Sequence, residues 1–122
     1  MTVRGGRKTP LYDLKTAQAT EPVVYGPCVA RANTTLRLDD PKKVYDFIVK
    51  LFRSLTAEDF SEVVLMPRAN AQPLHGDVYG KVHGGYLWYI KVHVSAATLI
   101  MSCHEAEHDM TLANGKQRRR PR

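Results

Sequence analysis

The chain has 122 residues, of which 43% are hydrophobic and 25% charged. That is enough for one domain around one core, and it excludes both a disordered chain and a two-domain protein. The formal net charge of +6 is carried by the ends: Arg4, Arg7, Lys8, Lys116, Arg118, Arg119, Arg120 and Arg122 flank a body (residues 11–115) whose own balance is −2, so the body is not a uniformly basic nucleic-acid slab.

No apolar run approaches the length of a membrane span. The basic opening MTVRGGRKTP lacks the apolar segment of a signal peptide. The expectation is a cytoplasmic protein with no membrane partner, in which Cys28 and Cys103 are free thiols. Residues 1–9 and 115–122 read as flexible basic tails on a single domain over 10–114. Such tails attract phosphate backbones without sequence preference, or are simply solvated ends.

In chain order, Leu11 to Ala19 can form a short helix. Pro22, Gly26, Pro27 and Asn33 mark residues 20–34 as loop, with one short strand at Val23–Tyr25. A helix is predicted from Pro41 to Leu55. Asp40 is a good N-cap, and Pro41 suits the first helical position, where its missing N–H costs nothing. Val44, Phe47, Ile48, Leu51 and Phe52 make one apolar stripe that should pack on a sheet. Thr56 to Asp59 resembles a capping turn. Strands follow at Glu62–Met66 and Gly76–Val82, then a His83-Gly84-Gly85 turn.

Tyr86 to Val94 is the strongest strand pattern. Side chains alternate, so Tyr86, Trp88, Ile90, Val92 and Val94 should face the core. Leu87, Tyr89, Lys91 and His93 should form a half-polar row on the other face.

Residues 95–114 fork. As a helix capped by Ser95, they would set His104 and His108 one turn apart with Glu105 beside them, because His104-Glu105-Ala106-Glu107-His108 matches the zinc-hydrolase string HExxH. As a strand, Leu99–Glu105 pairs with Tyr86–Val94 through a short Ser95-Ala96-Ala97 connection. Catalytic zinc needs a third protein ligand, and downstream of His108 only the adjacent Asp109 could serve. The strand is the preferred reading, with no metal site and His104 and His108 as the zinc alternative.

Several short pieces occur in a familiar order. Lys8-Thr9-Pro10-Leu11-Tyr12-Asp13-Leu14 is similar to an opening K-x-P-x-Y-D-L. Leu55-Thr56-Ala57-Glu58-Asp59-Phe60 follows a helix, like L-x-x-x-D-F. Asp77-Val78-Tyr79 matches the end of W-Q-D-V-Y, Tyr89-Ile90-Lys91 matches Y-[VL]-K, and Ser102-Cys103-His104-Glu105 sits where S-F-K-E is found. Over residues 8–105 the chain resembles the MqsR family, the mRNA interferase toxins of type II toxin–antitoxin systems. The resemblance implies an α+β single domain of RelE-like type. That is a twisted antiparallel sheet with one or two helices packed on one face and the RNA site on the other. It also implies metal-independent, cofactor-free endoribonuclease activity on mRNA, either sequence-selective or ribosome-linked, and a cognate antitoxin protein as partner. The chain departs from the pattern where Glu62 and His104 replace family lysines and His75-Gly76 replaces W-Q. Of the family's usual catalytic positions, Tyr89 is kept.

RNA cleavage by the 2′-hydroxyl needs a base near neutral pKa, a proton donor and a cation for the phosphorane. His104, Tyr89, Lys91 and Glu62 are the candidate catalytic residues. His93, Tyr79, Asp77 and Arg68 are the candidate substrate contacts. Each has a plainer reading: a solvated Tyr-Lys-His row, a core Tyr79, an Asp77 that caps a turn, and surface histidines. Glu105 and Glu107 beside His104 are expected to raise its pKa. A non-catalytic binding module of the same fold is the competing function.

Overall fold

The structure is a computed structural model that describes residues 3–4, 9–24, 26–38, 40–68, 71–95 and 98–121. Its elements are β1 (Val3–Arg4), α1 (Leu14–Gln18), β2 (Pro22–Val24), α2 (Gly26–Leu36), α3 (Pro41–Arg53), a 3₁₀ turn (Ala57–Asp59), β3 (Phe60–Arg68), β4 (Ala71–His83), β5 (Tyr86–Ser95), β6 (Thr98–Glu105), β7 (Met110–Thr111) and β8 (Gln117–Arg118). Six strands form one sheet in the order β1-β3-β4-β5-β6-β2.

The sheet is mixed rather than wholly antiparallel, because β2 runs parallel to β6 with Val23 opposite Ile100. Its centre, β3 to β6, is an antiparallel meander. Gly84 and Gly85 turn the β4–β5 hairpin at φ of 62° and 85°, which a two-residue hairpin turn requires and side-chain-bearing residues resist. The 96–97 connection lies outside the described residues.

α3 forms as its pattern predicts. Asp40 accepts the Lys42 amide at 3.0 Å, and Val44, Ile48, Leu51 and Phe52 are buried. Asp59 accepts the Thr56 amide at 2.8 Å and closes the 3₁₀ turn, as the capping pattern suggested.

α2 corrects the loop expected over residues 20–34. Gly26 and Pro27 mark its start rather than a loop, since a helix tolerates proline in its first turn. Cys28 and Ala32 are buried, and Val29 and Leu36 pack on the core. That is a helical spacing, but thin in large apolar residues. The helix ends at Arg37, which adopts φ 57° while its amide bonds the Asn33 carbonyl at 2.8 Å.

The main core lies between the helices and one face of the sheet. It joins Ala17, Ala32, Ile48, Phe52, Trp88, Ile90, Leu99 and Met101, all buried. A second, smaller cluster occupies the opposite face: Val64, Val78, Leu87, Ala106 and Met110. Leu87 is therefore core, not part of an open polar row.

Both expected tails contribute structure. Val3–Arg4 pairs with Leu65 and Val64 as an edge strand, while residues 5–8 lie outside the described ones. At the other end β8 pairs with β7, Arg118 bonds the buried Asp59 at 3.1 Å, and the Arg120 amide bonds Asp109 at 2.8 Å. The C-terminal segment is thus folded back on the body through residue 121.

Candidate active site

The centre of the site is a cross-strand pair. Tyr89 of β5 lies opposite Gly80 on one side and His104 of β6 on the other. The Tyr89 and His104 rings stack with centroids 5.0 Å apart and planes 16° from parallel. Strand alternation carries Lys91 on the same face as Tyr89, in the neighbouring row opposite Val78 and Ser102. Glu62 of β3 stands opposite Val78 in that same row.

Glu62 reaches this face because of a one-residue register shift. Phe60 pairs with Tyr79 and Glu62 with Val78, so Ser61 is extra. Without the bulge, Glu62 would turn toward the helices. Ser61 instead donates its hydroxyl to the Thr111 carbonyl at 2.6 Å, anchoring the C-terminal segment over the bulge. Tyr89, Lys91, His104 and Glu62 are therefore gathered on one face.

Their ionisation follows from partial burial. Burial, helped by the Glu62 charge, pushes the Tyr89 hydroxyl up to about 12, so it stays protonated. Burial lowers the Lys91 ammonium below its ordinary value. His104 also lies below 6.5, chiefly through burial. The Glu105 carbonyl and the Glu107 charge pull it upward, while Arg31 and Lys91 push it down. Acidic neighbours alone had suggested the opposite direction.

The His104 tautomer is fixed by its partner. Nδ1 lies 2.9 Å from the Glu105 carbonyl, which can only accept, so Nδ1 carries the proton. In the neutral ring Nε2 then keeps its lone pair for a substrate hydroxyl.

The remaining sequence candidates separate. Asp77 and Tyr79 are buried on the opposite, helix-facing side of the sheet, so neither is placed to touch a substrate on this face. The parity of β4 decides this: Val78, between them, is the residue that faces the site side. Tyr79 packs edge-on against Phe60, 5.6 Å between centroids. Asp77 accepts the Leu11 and Tyr12 amides, each at 2.9 Å.

His93 shares the Lys91 face, but its Nδ1 is committed to the His75 carbonyl at 2.8 Å and the Tyr12 hydroxyl at 3.1 Å. It holds the N-terminal segment rather than an open contact point. The Arg68 side chain lies outside the described residues.

The helix that the zinc alternative needs does not form. His104 belongs to β6, and His108 is exposed in the turn beyond it. Among the described residues, no three His, Cys, Asp or Glu side chains are grouped to hold a metal ion. Nor, among them, is any helix long and apolar enough to cross a membrane.

The sequence reading missed a cleft of about 310 Å³ beside β6, lined by Arg31, Thr34 and Thr35 of α2 with Glu105, Glu107 and Arg120. The Cys28–Ala32–Leu36 spacing was the signal that could have revealed its α2 wall. Nothing in the local pattern indicated that Arg120 returns to it.

Comparison with models of known protein families gives no match, and comparison with curated proteins gives none either.

Proposed function

We propose that this protein is a metal-independent endoribonuclease of the toxin type, with a RelE-like fold, that cleaves mRNA by attack of the 2′-hydroxyl. The observation that carries the reading is the stacked Tyr89–His104 pair with Lys91 and Glu62 on the same sheet face. The ordered resemblance to the MqsR family adds to it.

The chemistry runs through side chains alone. Neutral His104 takes the 2′-hydroxyl proton on Nε2, and the 2′-oxygen bonds to phosphorus. The P–O5′ bond breaks, leaving a 2′,3′-cyclic phosphate. The Lys91 ammonium, made more acidic by burial, protonates the departing 5′-oxygen. Tyr89 keeps its proton and donates a hydrogen bond to a phosphate oxygen as negative charge develops there. Burial, with the Glu62 charge adding to it, holds Tyr89 in its protonated form. In this arrangement a histidine does the acid–base work at a position where the family carries lysine. A cognate antitoxin and the ribosome are the partners the reading implies.

The test is induced expression followed by RNA end analysis. The expected result is growth arrest with fragments ending in 2′,3′-cyclic phosphate. His104→Ala and Tyr89→Phe should each lower cleavage by roughly 10²–10⁴-fold while remaining folded. Undiminished RNA cleavage by both variants would sink the assignment. Intact RNA with the wild-type chain would leave a binding module of the same fold.

A further inference from the structure

The cleft beside β6 is lined by two guanidinium groups, and one of them, Arg31, lies near enough for its charge to act on the proposed base His104. Arg31 extends from α2 and Arg120 from the returning C-terminal segment. Glu105, whose carbonyl holds His104 Nδ1, also lines the cleft. The two arginines are bridged by carboxylates: Arg31 to Glu107 at 3.0 Å, Arg120 to Glu105 at 3.4 Å. Arg120 also reaches the Glu107 carbonyl at 3.4 Å.

These bridges are weak holds. Arg31 and Glu107 side chains are 49% and 69% exposed, and Arg120 is 39% exposed. Exposed ion pairs contribute little and are screened by salt. Each guanidinium has five N–H donors, of which, among the described residues, Arg31 commits one and Arg120 two. Capacity therefore remains for a phosphate, which arginine grips through paired parallel bonds.

The charge distribution points the same way. The body of the chain is slightly acidic, yet the basic C-terminal segment is folded against this cleft. Lys116 and Arg119 on that segment are exposed nearby in sequence. The fold thus brings the Arg120 charge of that segment to the cleft.

We infer that the Arg31–Arg120 cleft is a phosphate subsite that holds the RNA backbone beside the cleavage position, with Glu107 competing for Arg31. This rests on the ribonuclease reading for its ligand, but its test does not depend on cleavage. Thr34 is not one of the donors, because its hydroxyl already donates to the Ala30 carbonyl at 3.1 Å.

The experiment measures binding of a short 2′-O-methyl RNA, which cannot be cleaved, to the full chain across a salt series. Arg31→Ala and Arg120→Ala should each weaken binding about three- to tenfold and reduce the log–log salt slope by about 0.7. Glu107→Gln should tighten binding, because it releases Arg31. Lys43→Ala, an exposed charge on α3, should change affinity less than either arginine variant. Wild-type affinity in both arginine variants, or no gain in Glu107→Gln, overturns the subsite. So does an acidic peptide of equal charge that competes as strongly as RNA. Arginine-dependent binding by a chain that leaves 2′-hydroxyl RNA uncut supports the subsite and defeats the catalytic reading. If the wild-type chain binds no oligonucleotide, both fall.

Discussion

The two carboxylate oxygens of Asp77 accept the backbone amides of Leu11 and Tyr12, each at 2.9 Å, across more than sixty residues of chain. Asp77 has no exposed surface. The β4–β5 pairing runs from His83–Tyr86 to Asp77–Val92, and Asp77 stands at its last rung. There the Tyr12 hydroxyl bonds the His75 carbonyl at 3.2 Å and meets His93. Two pieces far apart in the sequence, Pro10-Leu11-Tyr12-Asp13-Leu14 and Asp77-Val78-Tyr79, are thus one structural unit.

Removing the carboxylate should therefore destabilise the fold rather than alter substrate contact. Asp77→Ala strands two amides near the core edge, at a cost of about 2–4 kcal/mol. Urea unfolding should show a lower midpoint. Tyr12→Phe, which removes only the partly buried hydroxyl, should cost about 1 kcal/mol. Equal losses for the two would contradict this ranking.

Stability should also depend on pH through His104. Its folded pKa lies below the unfolded value near 6.5, so the unfolded chain binds more protons between the two. The stabilisation is complete above about 6.5 and is lost as pH falls through the lowered value. Wild type should weaken on acidification more than His104→Phe, which can still stack on Tyr89 but does not titrate. Parallel stability curves for the two proteins between pH 8 and pH 5 would refute the assignment. With His104 as the base of the proposed cleavage, the same depression would keep that activity high at pH values somewhat below 6.5.

Gly80 sits beneath the C-terminal segment. A Cβ at that position would lie 2.8 Å from Met110 Sδ and 3.0 Å from its methyl group. Met110 must then leave its place over Gly80, where it belongs to the second apolar cluster. Gly80→Ala should cost about 1 kcal/mol. Adding Met110→Ala should make the Gly80→Ala step nearly free, a coupling that a double-mutant cycle measures.

The C-terminal residues should be needed for full stability. Deleting residues 116–122 removes β8 and the Arg118 guanidinium from Asp59, whose side chain is 8% exposed. Asp59 keeps its Thr56 amide, so the expected loss is about 1–3 kcal/mol in a thermal or denaturant melt. A truly free tail would leave the melt unchanged.

Strong periodic signals explain which parts of the fold were legible. The α3 stripe and the Tyr86–Val94 alternation each carry five apolar positions at one period, and both elements formed as read. α2 was hidden because glycine, proline, asparagine and threonine fill five of its eleven positions and, among the described residues, its buried side chains are the small Cys28 and Ala32. β2 was found but not its parallel partner, since pairing over such a distance leaves no local trace. For the site, alternation placed Tyr89, Lys91 and His93 on one face. The same rule applied to β4 separates Asp77 and Tyr79 from that face once the register is known. Glu62 needed the bulge at Ser61, which the residues around it do not announce.

Both outer strands of the six-stranded sheet come from the first 24 residues, while its four inner strands are consecutive in the chain. A chain made from its N-terminus releases β1 and β2 long before their partners. β1 must wait for Val64 and Leu65, and β2 for Leu99 to Met101. The inner meander involves mostly near neighbours and closes quickly, whereas the edges pay the entropy of long loops. β2 cannot dock until residues 99–101 have emerged, so β6, the strand that carries His104, gains its outer neighbour late in folding. A nascent chain interrupted before residue 99 would present an unsealed sheet and no Tyr89–His104 pair, which ties the appearance of the site to the emergence of β6.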